Sequence, residues 1–103
     1  MAAYILAMFN QPNDPDAFDQ HYTKTHIPLG KKMPGLRSME ISSGGVHAPD
    51  GSQPYYVIAK LEFDSMHTLQ ESLNSPEGQA TANDLPNFAS GGVSLIMFET
   101  NAY

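Results

Sequence analysis

Residues 13–36 read NDPDAFDQHYTKTHIPLGKKMPGL, and the way this stretch enters, follows and leaves a helix sets the architecture on either side of it. Asn13 or Asp14 supplies an N-cap, Pro15 is tolerated in the first turn, and Asp16 and Asp19 complement the positive end of the helix dipole. From a start at Pro15, Phe18, Tyr22, His26 and Leu29 fall on one helical stripe, the one expected to look inward. Pro28 removes a backbone donor and disfavours helical geometry at Ile27, so a kink is expected there, with LGKKM as a further irregular turn and Pro34-Gly35 as the end of the unit.

Outward from that helix, residues 2–9 are apolar on both alternating sets, Tyr4, Leu6 and Met8 against Ile5, Ala7 and Phe9, the pattern of a central strand covered on both faces. Residues 36–42, LRSMEIS, alternate as a half-buried strand, and Ser43 to Pro54 form a long loop rich in Gly, Pro and Asp. Residues 55–63, YYVIAKLEF, place Val57, Ala59, Leu61 and Phe63 on one face and Tyr56, Ile58, Lys60 and Glu62 on the other. Asp64 or Ser65 caps a second helix carrying Met66, Leu69 and Leu73; Ser75 and Pro76 restart it, and Pro86 ends it. A last strand, VSLIMFE, follows from Val93.

The order strand, helix, strand, strand, broken helix, strand is the βαββαβ pattern of a ferredoxin-like α+β sandwich, a four-stranded antiparallel sheet with helices on one face and the first and third strands central. Tyr4, Leu6, Met8, Tyr56 and Ile58 then leave the other face too apolar for water, and a second copy of the sheet is expected to cover it in a homodimer.

Composition narrows the function. A chain of 103 residues is one domain, residues 1–103, because a second core would not fit. A net charge of −6 with only five Lys and Arg argues against a nucleic-acid partner. The absence of cysteine excludes disulfides, thiolate metal sites and a cysteine nucleophile, and it is compatible with the cytoplasmic location expected here. MAAYILAMF lacks a basic leader and stops at Asn10-Gln11-Pro12, far short of a membrane span, so no membrane association is expected.

His26 is the first candidate for chemistry, since imidazole takes or gives a proton near neutral pH without a metal. Tyr22, one turn earlier, is placed to orient the ring or to donate to a developing oxyanion. Phe18, Leu29 and Met8 are the expected substrate-binding side chains. The structural alternative is that His26 bonds a backbone carbonyl freed by Pro28 while Tyr22 fills core. His21 is expected on another face, because five residues turn about 140° around an α-helix. That geometry also argues against a two-histidine metal grip, and neither HExxH nor HxH occurs, so no metal is expected. His47 reads as solvated and His67 as surface. No phosphate loop or GxSxG motif is present.

With Phe18, Tyr22, the HIPL of residues 26–29 and the PGL of 34–36 in place, the chain resembles a small EthD-type protein, from the ethyl tert-butyl ether degradation family of the dimeric α/β-barrel superfamily. SPEG at 75–78 and Asp84 to Phe88 are similar to that family as well. The resemblance implies a homodimer whose sheets pack face to face. It spans a superfamily of cofactor-independent oxygenases, cyclases, isomerases, dehydratases, haem-handling enzymes and proteins with no known reaction. The expectation is a small enzyme without a cofactor, acting on an apolar or aromatic oxygenated metabolite through proton transfer by His26. The alternatives are a dimeric accessory or stress-related protein that binds a hydrophobic ligand and, third, a haem protein with His26 as axial ligand.

Overall fold

The computed structural model describes residues 2–103. β1 (Ala3–Phe9) leads through α1 (Pro15–His21), a π-helical turn (Tyr22–His26) and α2 (Ile27–Lys31) to β2 (Ser38–Ile41) and β3 (Val57–Phe63). α3 (Met66–Asn74), α4 (Pro76–Asp84), a short 3₁₀ turn (Leu85–Asn87) and β4 (Val93–Glu99) complete the chain. The strands form one antiparallel sheet in the order β2-β3-β1-β4, so β1 and β3 are central and the ferredoxin-like α+β arrangement holds.

The local starts follow from the caps. Asp14 accepts from the backbone of Ala17, Ser65 from Thr68 and Ser75 from Gly78, each satisfying an N–H that the first helical turn leaves free. On β1, Ala3, Ile5, Ala7 and Phe9 are buried under the helices, and register pairs Ile5 with Leu61 and Ala7 with Ala59 on the same face. Phe18, Tyr22, Met33, Phe63, Leu69 and Phe88 close this core from the helical layer and the strand ends. β2 and β3 are shorter than their sequence pattern, although Arg37 donates to the Glu62 carbonyl and Ser42 to that of Ile58, extending the pairing by one residue at each end of β2.

On the opposite face Tyr4 stacks on Phe98 with centroids 5.6 Å apart, Lys60 Nζ lies 4.8 Å from the Tyr4 ring centroid, and Leu6, Met8 and Ile58 are half-buried. Tyr56 does not join them. It precedes β3, where the pleat no longer dictates its side, and it packs edge-on against Phe18 at 5.2 Å while its hydroxyl donates to Asp19 at 2.8 Å. β4 is an edge strand, and Leu95, Ile96 and Met97 are all about half exposed, at 51%, 46% and 47%.

The expected break at Pro28 is absent. Ile27 keeps helical angles (φ −58°, ψ −47°), and Pro28 and LGK lie within α2 instead of an irregular turn. Proline denies the preceding turn one donor and crowds the carbonyl four residues back. The chain absorbs both by widening one turn: the Ile27 N–H bonds the Tyr22 carbonyl, an i to i+5 closure, and the Thr23 hydroxyl donates to the Asp19 carbonyl at 2.8 Å.

Candidate active site

The widened turn decides which side chains meet. In an α-helix, residues four apart lie one above the other; in a π turn that relation passes to residues five apart. His21 and His26 therefore lie close in space, contrary to the divergence that α-helical geometry predicts. Both reach the carboxylate of Asp84, presented by the last residue of α4. His26 Nδ1 lies 2.9 Å from Oδ2, and His21 Nε2 lies 2.9 Å from Oδ1 and 3.0 Å from Oδ2. Asn87, in the 3₁₀ turn, donates to Oδ1 at 3.0 Å.

Asp84 is 6% exposed. Burial alone would raise its carboxyl, but the hydrogen bonds from Asn87, His21 and His26 outweigh that and hold it below the usual carboxylate value. An ionised carboxylate only accepts, so His26 Nδ1 carries the proton and Nε2 keeps its lone pair. Burial pulls His26 below the ordinary imidazole value, against the hydrogen bond and charge of Asp84, and the neighbouring His21 charge lowers it further. The ring is held by aromatic contacts: Phe88 at 4.6 Å, Tyr22 at 5.8 Å and Phe9 at 6.4 Å between centroids.

Between helices and sheet lies a cavity of about 70 Å³. Its wall is almost wholly apolar, with Ile5, Ala7, Phe9, Met33, Met39, Leu61 and Leu73 among its residues, and it reaches solvent where Ala82 and Leu95 are exposed. Tyr22 and His26 line it. Neither the Tyr22 hydroxyl nor His26 Nε2 has a hydrogen-bond partner among the described residues. Burial pushes the Tyr22 phenol up to about 12, which keeps it a donor. An apolar cavity with a histidine and a tyrosine among its wall residues is the pattern of a small-molecule site.

The other expected lining residues lie elsewhere. Met8 alternates onto the open sheet face, away from the helices. Phe18 is core, stacked on Tyr22 at 5.3 Å, and its edge lines an outer groove beside His21, not the cavity. Leu29 is half-buried outside the cavity, whose helical wall continues through Ile27 and Gly30. The sequence reading missed Asp84, Asn87 and His21 as site residues; the one signal was an acid four residues before Phe88 in a stretch already similar to the EthD family. His47 and His67 are exposed, as expected, and His67 pairs with Glu71 at 3.3 Å. Among the described residues no group of His, Asp or Glu converges on a point fit for a metal ion.

Fold and site together define a ferredoxin-like α+β protein carrying a buried His–Asp pair over an apolar cavity. The chain belongs to the EthD family: the EthD domain matches residues 10–92. A Rhodococcus erythropolis protein described as an uncharacterized 11.0 kDa protein in the thcB-thcC intergenic region is 39% identical over 93 residues, covering 89% of this chain and 88% of that one. The crystal structure of an ethyl tert-butyl ether degradation family protein from Bacillus halodurans superposes with a TM-score of 0.89 at 35% identity, over 98% of this chain and all (100%) of that one. SnoaB, a cofactor-independent oxygenase from Streptomyces nogalater, shares the fold alone: TM-score 0.63, 12% identity, 99% of this chain and 94% of that one. Other structural neighbours are dimeric ferredoxin-like proteins of unknown function. No helix among the described residues is long and apolar enough to cross a membrane.

Proposed function

We propose that the protein is a homodimeric, cofactor-independent enzyme that removes a proton from a compact, apolar or aromatic oxygenated metabolite. The observation that carries this reading is the free Nε2 of a buried histidine, its tautomer fixed by Asp84, on an apolar cavity. The substrate proton passes to Nε2, the Nδ1 proton stays bonded to Asp84, and the Tyr22 hydroxyl donates to the oxygen on which negative charge develops. The resulting carbanion or phenolate is the species that oxygenation, cyclisation and dehydration share. SnoaB, with the same fold, supports the oxygenase branch by analogy. The open apolar sheet face and the dimeric neighbours support the homodimer.

Hydrogen–deuterium exchange tests the proton step whatever the later course of the reaction. Small phenols and aryl ketones incubated with the protein in D₂O are read by NMR for exchange at activated carbon positions. Catalysed exchange in the wild type that drops by about 10² or more in His26→Gln supports the base. Binding of the same compounds with no exchange in either protein would replace the enzyme by a ligand-binding accessory protein.

A further inference from the structure

The proton-abstraction reading uses His26, Tyr22 and Asp84 and leaves His21 without a task. Yet His21 makes the more extensive contact with the carboxylate, approaching both oxygens, and with His26 it shares Oδ2 at 3.0 and 2.9 Å. The two ring nitrogens are therefore within about 6 Å of each other, close enough for their charges to interact by more than one unit of proton affinity at a partly buried site. Their surroundings differ. The His26 ring is buried against the cavity, whereas the His21 side chain is 29% exposed and lines the outer groove with Asn13, Asp14 and Ser90. The carboxylate thus lies between a cavity-side and a solvent-side imidazole.

We propose that His21 is a positioning residue of the same site: His21 and His26 compete for the single negative charge of Asp84, so the three side chains hold one excess proton between them. A charge on His21 disfavours a second one on His26, which keeps His26 neutral and fit to act as a base. When His26 Nε2 takes the substrate proton, a proton held on His21 leaves to water through the outer groove, and Asp84 never faces two imidazolium rings. One proton enters from the substrate, one leaves to bulk water, and no electron moves. The other elements packed around the unit add little charge. The first helix brings Asp14, engaged as the cap of α1, and the π turn brings Tyr22, a donor throughout; the sheet brings Phe9, and the turn after α4 brings Asn87 and Phe88. Among the described residues no Lys, Arg or Glu lines either the cavity or the groove.

The catalytic meaning of this inference rests on the general-base reading, but its test does not. Ring ¹⁵N shifts of both histidines are followed by NMR against pH in the free protein, for the wild type and for His21→Gln, whose amide can still donate to Asp84 but cannot take up a proton. The expected wild-type His26 curve has a second inflection at the His21 midpoint, and in His21→Gln the His26 midpoint moves up by about one pH unit. Independent single-site curves in the wild type overturn the inference, as does an unmoved His26 midpoint in a folded His21→Gln. If the variant does not fold, the wild-type curves decide alone. Loss of deuterium exchange in His26→Gln without this coupling would sink the His21 role and spare the enzyme; coupling without exchange would do the reverse.

Discussion

Asp84→Asn is the substitution that weighs most heavily on the site, and its cost follows from the contacts. The carboxylate is buried and accepts from His21, His26 and Asn87. Asparagine keeps the shape but offers one acceptor oxygen, so an NH₂ group must face at least one imidazole N–H. An unmatched buried donor costs about 1–3 kcal/mol, and replacing charge-assisted bonds by neutral ones adds about 1 kcal/mol, giving a loss of roughly 2–4 kcal/mol. For a chain of this size that lowers Tm by about 10–20 °C. Urea unfolding followed by circular dichroism, at one protomer concentration and pH 7, measures it. The folded Asp84 value lies below the unfolded one, so the wild-type advantage is present above about pH 4 and fades as pH falls through the folded value. The variant also has a chemical consequence. Without a carboxylate on Nδ1 the imidazole adopts the other tautomer, the lone pair leaves the cavity, and deuterium exchange falls by about 10³–10⁴. A stability loss under about 0.5 kcal/mol with exchange intact would refute the claim that Asp84 holds His26.

Three further outcomes are expected. His26 is held below its unfolded value of about 6.5, so the unfolded chain takes up that proton first and stability drops as pH falls below about 6.5; Tm against pH in His26→Phe should lose this part of the slope. Gly78→Ala would drive a Cβ into the Ser72 carbonyl oxygen and set it 2.8 Å from Leu73 Cα, both backbone, so thermal melts should show a loss of about 2–4 kcal/mol despite alanine's better helix propensity. Leu6→Arg on the open sheet face should turn a dimer into a folded monomer in size-exclusion chromatography with light scattering, and a wild-type monomer at micromolar concentration would remove the dimer from the proposal.

The sheet, its order and the helix caps were legible because each rests on a local rule: alternation in β1 and β3, and Asp14, Ser65 and Ser75 at helix starts. His26 and Tyr22 were legible for the same reason, being four apart on one helical face. His21 was not, because its meeting with His26 depends on a change of helical pitch that 3.6-residue counting cannot show. Asp84 lies 58 residues from His26, and only the tertiary packing of α4 against the π turn brings them together. Met8 was assigned to the site although its own alternation with Phe9 placed it on the opposite face.

The widened turn also makes chain length a marker of helical pitch. A π turn of this kind carries one residue more than the α-helix it interrupts, and removing one residue between His21 and His26 would let the ladder close four apart again. His21 and His26 would then stand four apart in a regular α-helix, one above the other as they are across the π turn, so the deletion would leave both imidazoles on the side of Asp84. Among relatives, a one-residue gap in this short segment would therefore mark those that bring both histidines to the carboxylate from an ordinary α-helix, a distinction visible in sequence lengths where every histidine is retained.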